Sequence, residues 1–498
     1  MFSTQSLSLV INTASFLIIL GACVFATALV CIIIIYIYDR LQSRHSVLRN
    51  YPVIGHFRYI FEFLGHFLRQ YLFSADRDEM PFNRAIRSWI YQAAKNDDTT
   101  VAFGSTRNVT EPGTIIFANA PFPTLEKNAL NTAPLQIGPY CKTPYTANSF
   151  FNASAMSYGS ISKPAVIALT QGAKKANCWV NTGEGGISPY HLKAECDLIA
   201  QIGTAKYGYR DIHGNISAVK LKLAANYEQV KMFEIKLSQG AKPGKGGILP
   251  GEKVTQEIAN IRHIPVGEDS ISPNRFPELN DTADILNMIN MIRDVTGKPV
   301  GIKFVLGGKD WLHEFCKEIK TQGIERAPDF ITLDSADGGT GAAPIALMDY
   351  VGLHIKESLP FLIDTLQDCG LKDRIKVIAS GKLVTPPDVA WALAVGADFI
   401  NSARGFMFSL GCIQSLQCNK NSCPTGIATH KKRLQKGLVP QEKSLRVTHY
   451  VTNMQKEVAQ IAHACGVKEP RLLNRTHCRI VQENSVSISL DKLYTKDP

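Results

Sequence analysis

From about Ala147 onward, runs rich in β-branched and apolar residues alternate with helical stretches, and this order persists for about 280 residues. Strand-like runs fall at 149–156, 177–183, 231–238, 299–307, 329–336, 375–381 and 398–403. An eighth is expected between Asp197 and Val219. Helical segments such as 164–176, 284–295 and 387–397 lie between them. Strands separated by helices pair in parallel, and a repeat of this size closes on itself. The chain is therefore predicted to be an α/β protein with a (β/α)8 TIM barrel. A doubly wound sheet is the competing architecture, but no strand here leads into G-x-G-x-x-G.

A barrel places its working residues at the carboxyl ends of its strands. Polar and glycine-rich motifs sit at those ends: Ser157 and Gly159 after the first strand, Asn181, Thr182 and Glu184 after the second. Gln239 and Lys242 follow 231–238, and Asp337, Gly338, Gly339 and Gly341 follow 329–336. Barrels commonly hold a phosphate in the loops after strands seven and eight. Here those loops carry Ser380-Gly381-Lys382 and Ser402-Ala403-Arg404-Gly405. Glycine lets main-chain N–H groups approach an anion, and Arg404 can grip it as a fork. Taken singly, each glycine reads as an ordinary turn. Lys303 stands in the apolar run VGIKFV. It either points into the barrel, where a lysine needs a partner, or faces a helix at the surface.

Gly411 to His430 reads GCIQSLQCNKNSCPTGIATH and sets Cys412, Cys418 and Cys423 in a C-x5-C-x4-C array. Three thiolates so close together suit a soft metal or an iron–sulfur cluster. The spacing does not fit zinc modules built on C-x2-4-C pairs. The plain alternative is three buried cysteines sharing one segment. The remaining cysteines mostly stand singly in apolar runs, as Cys178, Cys316 and Cys369 do. That is the usage of a reducing compartment.

The cysteine segment, with SYGSIS, NTGEGG, QGAKPGKGG, LPGEKV, IRH, DGGTGA and CPTGIAT in this order between Thr146 and Thr429, resembles the central and FMN-binding region of glutamate synthases. The resemblance implies that the three cysteines hold a 3Fe–4S cluster and that the phosphate belongs to FMN. Ser157, Gly159, Asn181, Thr182, Gln239, Lys303, Asp337, Gly338, Gly339, Gly341, Ser380, Gly381, Ala403 and Arg404 then become the FMN-binding residues. It further implies that Glu184, Lys242 and Arg262 are catalytic, lying near the flavin and 2-oxoglutarate. Arg262 would pair a substrate carboxylate, Lys242 would hold the second carboxylate or polarise the 2-oxo group, and Glu184 would manage ammonia or a proton. The reaction implied is addition of ammonia to 2-oxoglutarate, then reduction of 2-iminoglutarate to L-glutamate.

Two departures qualify that reading. Ile248 stands where long glutamate synthases carry Gln in GGQLPG, and an isoleucine cannot supply that amide's hydrogen bonds. No glutaminase domain with an N-terminal cysteine and no NAD(P)H fingerprint is present. Ammonia is then expected from solution or another chain, and electrons from a separate donor: a ferredoxin-like protein, a flavoprotein subunit or a membrane carrier. A different oxo acid, imine or amine as substrate, or an electron-relaying subunit without its own substrate, are the alternatives.

Residues 1–38 contain no Lys, Arg, Asp or Glu, and from Leu7 to Tyr38 the run is overwhelmingly apolar. About 20 apolar residues span a bilayer, so this segment predicts a transmembrane helix. A charged start and a small-residue cleavage site, the marks of a signal peptide, are absent. Arg40, Arg44 and Arg49 follow at once, which predicts a single-pass inner-membrane anchor with the catalytic domain in the cytoplasm. The net charge of +11 could also serve nucleic acid, but no Lys/Arg block with interleaved aromatics appears. The segment YPVIGHFRYIFEFLGHFLRQYLF is amphipathic and either lies on a membrane surface or, more simply, packs on the barrel. The domain boundaries expected are an anchor at 1–38, a helical and irregular lead-in at 39–145, the barrel with its cysteine segment at 146–436, and a C-terminal cap at 437–498.

Overall fold

The computed structural model describes residues 4–42 and 45–494, so Arg44 lies outside the described residues. The chain divides into two compact units, Met1–Ala85 and Ile86–Pro498.

In the first unit a single helix runs from Thr4 to Leu41. Its stretch Asn12–Leu41 is apolar and long enough to cross a bilayer. Phe16, Phe25 and Ile34 stand exposed along it. A second helix, Gly55–Leu68, follows a short turn of helix at Ser46–Asn50. Asp39 is fully buried between them, accepting the Val53 N–H at 2.9 Å and lying 3.0 Å from His56 Nε2.

In the second unit eight strands close into a barrel. They are β1 Phe151–Ala153, β2 Val180–Asn181, β3 Leu198–Ile202, β4 Val230–Lys236, β5 Val300–Phe304, β6 Phe330–Asp334, β7 Lys376–Ser380 and β8 Phe399–Ser402. Neighbours pair in parallel in sequence order; β8 pairs with β1, which closes the ring, and β4 meets β5. All eight expected strands are present, β3 filling the interval between Asp197 and Val219. β3, β5 and β6 are buried at every residue. A parallel strand covered on both faces reads as an almost unbroken apolar run, which is why these segments were legible.

The surrounding helices begin and end on local chemistry. Ser162 caps the helix Lys163–Lys175 by accepting from Ala165 N–H, and Pro stands in its first turn. Asp281 caps Thr282–Thr296 by accepting from Asp284 N–H at 2.8 Å, and that helix stops on Gly297 at φ 71°. A hairpin of Leu135–Ile137 and Tyr145–Ala147 packs with Trp179, Ile199, Met232, Phe330 and Phe399 at the amino-terminal end of the barrel. At the same end Asp329, fully buried, takes Arg293 Nε at 3.0 Å, Arg374 Nη2 at 2.9 Å and the Val300 N–H at 2.8 Å. The helix Pro440–Ala464 packs on Lys163–Lys175 and Pro386–Val395. Beyond it, Cys478–Val481 and Ser487–Ser489 form an antiparallel sheet with Ile115–Phe117. Of these added elements, the helix Pro440–Ala464 reaches the carboxyl ends of the strands: its Tyr450 donates to Val384 O at 2.9 Å in the loop after β7.

Candidate functional site

Strand alternation decides what points inward. On β4, Glu234 and Lys236 are two residues apart and so share a face. Glu234 is fully buried and accepts from Asn181 Nδ2 at 2.8 Å, Gln201 Nε2 at 2.6 Å and Thr332 Oγ1 at 2.5 Å. This polar layer spans β2, β3, β4 and β6. Above it lies a cluster of buried charges.

Lys303 on β5 faces inward, and its Nζ sits 3.1 Å from Asp334 Oδ2 at the end of β6. Asp334 also accepts the Gly240 N–H at 3.0 Å and the Ser380 hydroxyl at 3.1 Å. Burial alone would push the Lys303 ammonium down, but Asp334, Glu234 and Glu184 outweigh it and hold its pKa above the ordinary lysine value. Glu184, in the loop after β2, pairs with Lys236 Nζ at 3.0 Å. Its burial would raise the carboxyl, yet Lys236, Lys242 and Arg262 together keep it below the usual range, so it is ionised. Lys242 donates to Ala342 O at 3.0 Å. Burial, then repulsion from Lys236, pushes it down to about 8, with Glu184 offsetting part. Arg262 is buried at the end of the helix Gln256–Arg262. Its Nη2 reaches Tyr158 O at 3.3 Å and Ser157 Oγ at 3.4 Å, its Nη1 reaches Ser270 Oγ at 3.2 Å, and its plane lies over the Tyr207 ring. Its Nε has no hydrogen-bond partner.

The three expected catalytic residues are therefore in one charge cluster. Lys236, Glu234 and Asp334 belong to it and were not singled out from the sequence. The available signal was two charges spaced two apart in an apolar strand, Glu234 and Lys236 in KMFEIK, and a carboxylate ending FITLD. Gly247 lies directly against the Glu184 carboxylate, where no Cβ would fit. Ile248 follows it, half-buried and paired with Ile271 in a two-residue ladder.

The phosphate-loop positions also converge. Gly381 has φ 130°, and a Cβ there would run into Ser335 Oγ, a buried hydroxyl without a partner. Ser402 Oγ is buried beside the Tyr450 hydroxyl. Arg404 leads the turn Arg404–Ser409 after Ala403 and bonds Thr340 O, next to Gly339 and Gly341. Gln239 bridges Lys236 Nζ at 2.9 Å and Gly339 O at 3.4 Å. Gly338 packs against Gly240 and Asp334. Asp337 faces elsewhere: its Oδ2 accepts the Ile355 N–H at 3.1 Å at the start of Ile355–Asp368. Thr182 is occupied by the backbone, accepting from Gln201 N–H at 3.2 Å. Ser157 and Gly159 lie beside Arg262.

Cys412, Cys418 and Cys423 lie in one loop next to this site. Burial raises the Cys412 thiol to about 11; Arg404 opposes that, and Cys418 and Cys423 add to it. Arg404 Nη1 is 4.0 Å from Cys418 Sγ. Lys253 Nζ donates to Ser160 O at 2.7 Å and Cys418 O at 3.3 Å, and His430 Nε2 is 2.8 Å from Gly159 O. These bonds tie the cysteine loop to the loop after β1. Among the described residues no group of three His, Cys, Asp or Glu is arranged to hold a single metal ion.

Comparison with known proteins agrees with this architecture. Residues 123–468 match the family described as a conserved region in glutamate synthase. The glutamate synthase large subunit-like protein YerD of Bacillus subtilis is 41% identical, with 92% of this chain and 94% of YerD aligned. The archaeal glutamate synthase [NADPH] of Methanocaldococcus jannaschii is 32% identical over 67% of this chain and 63% of its own length. A glutamate synthase large subunit-like protein of Rhizobium meliloti is 28% identical over 66% and 74% respectively. The chain thus spans nearly all of YerD but under two thirds of the archaeal relative. On these matches, and with a closed parallel barrel carrying the motifs at its carboxyl end, the chain belongs to the glutamate synthase family of oxidoreductases.

Proposed function

We propose that this chain joins ammonia to 2-oxoglutarate and reduces the resulting 2-iminoglutarate to L-glutamate, using FMN, a 3Fe–4S cluster and a separate electron donor. The donor would be a ferredoxin-like protein or a flavoprotein subunit. One observation carries the substrate reading: Lys242 and Arg262 are buried cations with no carboxylate in salt-bridge range among the described residues. Buried charge without a partner is costly, and a dicarboxylic oxo acid would supply two. Arg262 offers its fork to one carboxylate; Lys242 holds the other or polarises the 2-oxo oxygen. Near pH 8 Lys242 can also deliver a proton to the oxygen that leaves as water when ammonia condenses. Glu184, held ionised by Lys236, can accept N–H bonds from the incoming ammonia.

The chain's own groups support FMN, and the donor chemistry of its three clustered thiols supports the cluster. The unpartnered Ser335 hydroxyl, Gly381 and Arg404 would suit the FMN phosphate. Thiol donors on one loop suit an iron–sulfur cluster, which takes more widely set ligands than one ion. FMN when bound supplies the electron pair for the imine carbon, and the cluster relays single electrons. Lys303, held by Asp334, would supply fixed positive charge to stabilise a reduced flavin. The helix Asn12–Leu41, with Arg40 in its last turn and Arg49 beyond it, supports an inner-membrane anchor with the barrel in the cytoplasm.

Ile248 favours a second reading. It sits beside the Gly247–Glu184 contact and offers an apolar surface where an amide would discriminate, so another oxo acid, imine or amine would be the substrate. Purified full-length protein decides. Released FMN, iron and acid-labile sulfide test the cofactors, and Cys418→Ser is expected to lower iron and sulfide while FMN remains. Reoxidation of the reduced flavin by 2-oxoglutarate with ammonium supports the first reading. Reoxidation only by other oxo acids or imines supports the second; exchange with a protein donor alone makes the chain a relay.

The substrate site has a pH signature. Lys242 carries its charge below about 8 and loses it above. Oxo-acid affinity should therefore be flat below that pH and fall as pH rises through it. Lys242→Met should weaken binding about 10- to 100-fold at neutral pH, the worth of a charged hydrogen bond, and erase the alkaline fall. Titration of the flavin spectrum with the oxo acid at several pH values measures both.

A further inference from the structure

The first unit contains an apolar surface that the anchor does not explain. Along Gly55–Leu68, Phe57, Ile60, Phe61, Phe63, Leu64 and Leu68 fall on one broad sector at helical spacing, while Arg58, Glu62, Gly65 and Arg69 fall on the other. Those six apolar side chains are 39% to 65% exposed. The sector continues into the turn Arg69–Phe73, where Tyr71, Leu72 and Phe73 are also exposed. Phe57 stacks on Phe61 with ring centroids 6.4 Å apart, so the face is ordered within itself.

Its position identifies what covers it. The helix begins 14 residues after Leu41, where the bilayer-length helix ends. The buried Asp39, on the last turn of that helix, bonds Val53 N–H and His56 Nε2, and so fixes the two helices to each other. Between positions 39 and 73 stand five arginines against Asp39 and Glu62, with tyrosines at 51, 59 and 71. An apolar sector on one side, cations on the other and tyrosines between are what an in-plane helix at a bilayer surface requires.

We propose that Gly55–Leu68 is a second membrane-contacting element, lying in the plane of an anionic bilayer surface with its phenylalanine face among the acyl chains. This rests on the membrane reading of Asn12–Leu41. The Asp39 clamp would hold it at headgroup level as the spanning helix emerges.

The test uses the full-length chain in vesicles containing anionic lipid, with acyl chains brominated either near the carbonyl or near the methyl end. Phe61→Trp, Phe25→Trp and Phe103→Trp are compared with the parent protein, whose four tryptophans give the background. Phe25 lies in the apolar helix, and Phe103 is exposed in the second unit. The expected result is that Trp emission from F61W is quenched most by bromine near the carbonyl, F25W by bromine near the methyl end, and F103W by neither. F61W unquenched while F25W is quenched would overturn the in-plane helix and leave the anchor standing. F61W quenched most by the deep bromine would overturn it in favour of an inserted segment. F25W unquenched would overturn the membrane reading itself. Loss of F61W quenching in vesicles without anionic lipid supports the anionic surface; retention would overturn that part of the proposal.

Discussion

Asp329→Ala is expected to lower the stability of the barrel by about 3–5 kcal/mol, the usual cost of breaking a buried ion pair from one side. Asp329 is wholly buried, and the side chains of Arg293 and Arg374 are only 7% and 6% exposed. Removing the carboxylate leaves two guanidinium groups and the Val300 N–H facing a cavity. Those partners come from the helix Thr282–Thr296, the segment before β7 and the start of β5, so one side chain pins three elements at the barrel floor. Asp329→Asn keeps an acceptor and should cost less. Urea unfolding followed by far-ultraviolet circular dichroism measures both variants. A loss under about 1 kcal/mol for Asp329→Ala would show that solvent reaches this end of the barrel, since exposed pairs are worth no more than that. Flavin content in the folded fraction should be unchanged, because the floor lies opposite the site.

Lys303→Met is expected to slow the flavin half-reaction by about 10²- to 10³-fold, the scale of removing one preorganised charge from a buried site. The direction follows from charge. An ammonium near a bound flavin would favour the reduced, negatively charged ring, so its loss should lower the flavin potential. Asp334 complicates the variant, because it is left with only Gly240 N–H and Ser380 Oγ as partners. The potential separates the two effects: a structural role alone would change stability and leave it in place. Lys303→Arg, which keeps the charge, should restore most of the potential. An unchanged potential in Lys303→Met would mean the lysine serves Asp334 and nothing else.

Much of this was legible before any coordinates. Seven of the eight strands read clearly because a parallel barrel strand is covered on both faces, which writes its burial into the sequence as a continuous apolar run; the remaining one was only bracketed between Asp197 and Val219. The order of motifs at strand ends located one working face. Lys303 was ambiguous as a sequence position: a two-residue period gives alternation but not which side is inside. Asp337 shows the converse, a motif residue whose side chain turns to cap Ile355–Asp368. Glu234 and Lys236 were overlooked because a charged pair within one strand resembles a solvated face until the strand is known to be central.

The sequence by itself determined the barrel, the family and the apolar N-terminal helix, because each is set by patterns local to the chain: periodicity, spacing and run length. Only the tertiary structure decided which charges meet. Glu184 and Lys236 are 52 positions apart in sequence yet 3.0 Å apart in space, and Arg293 reaches Asp329 across 36 positions. Electrostatic energy depends on separation through space and on burial, and neither is written in the order of residues.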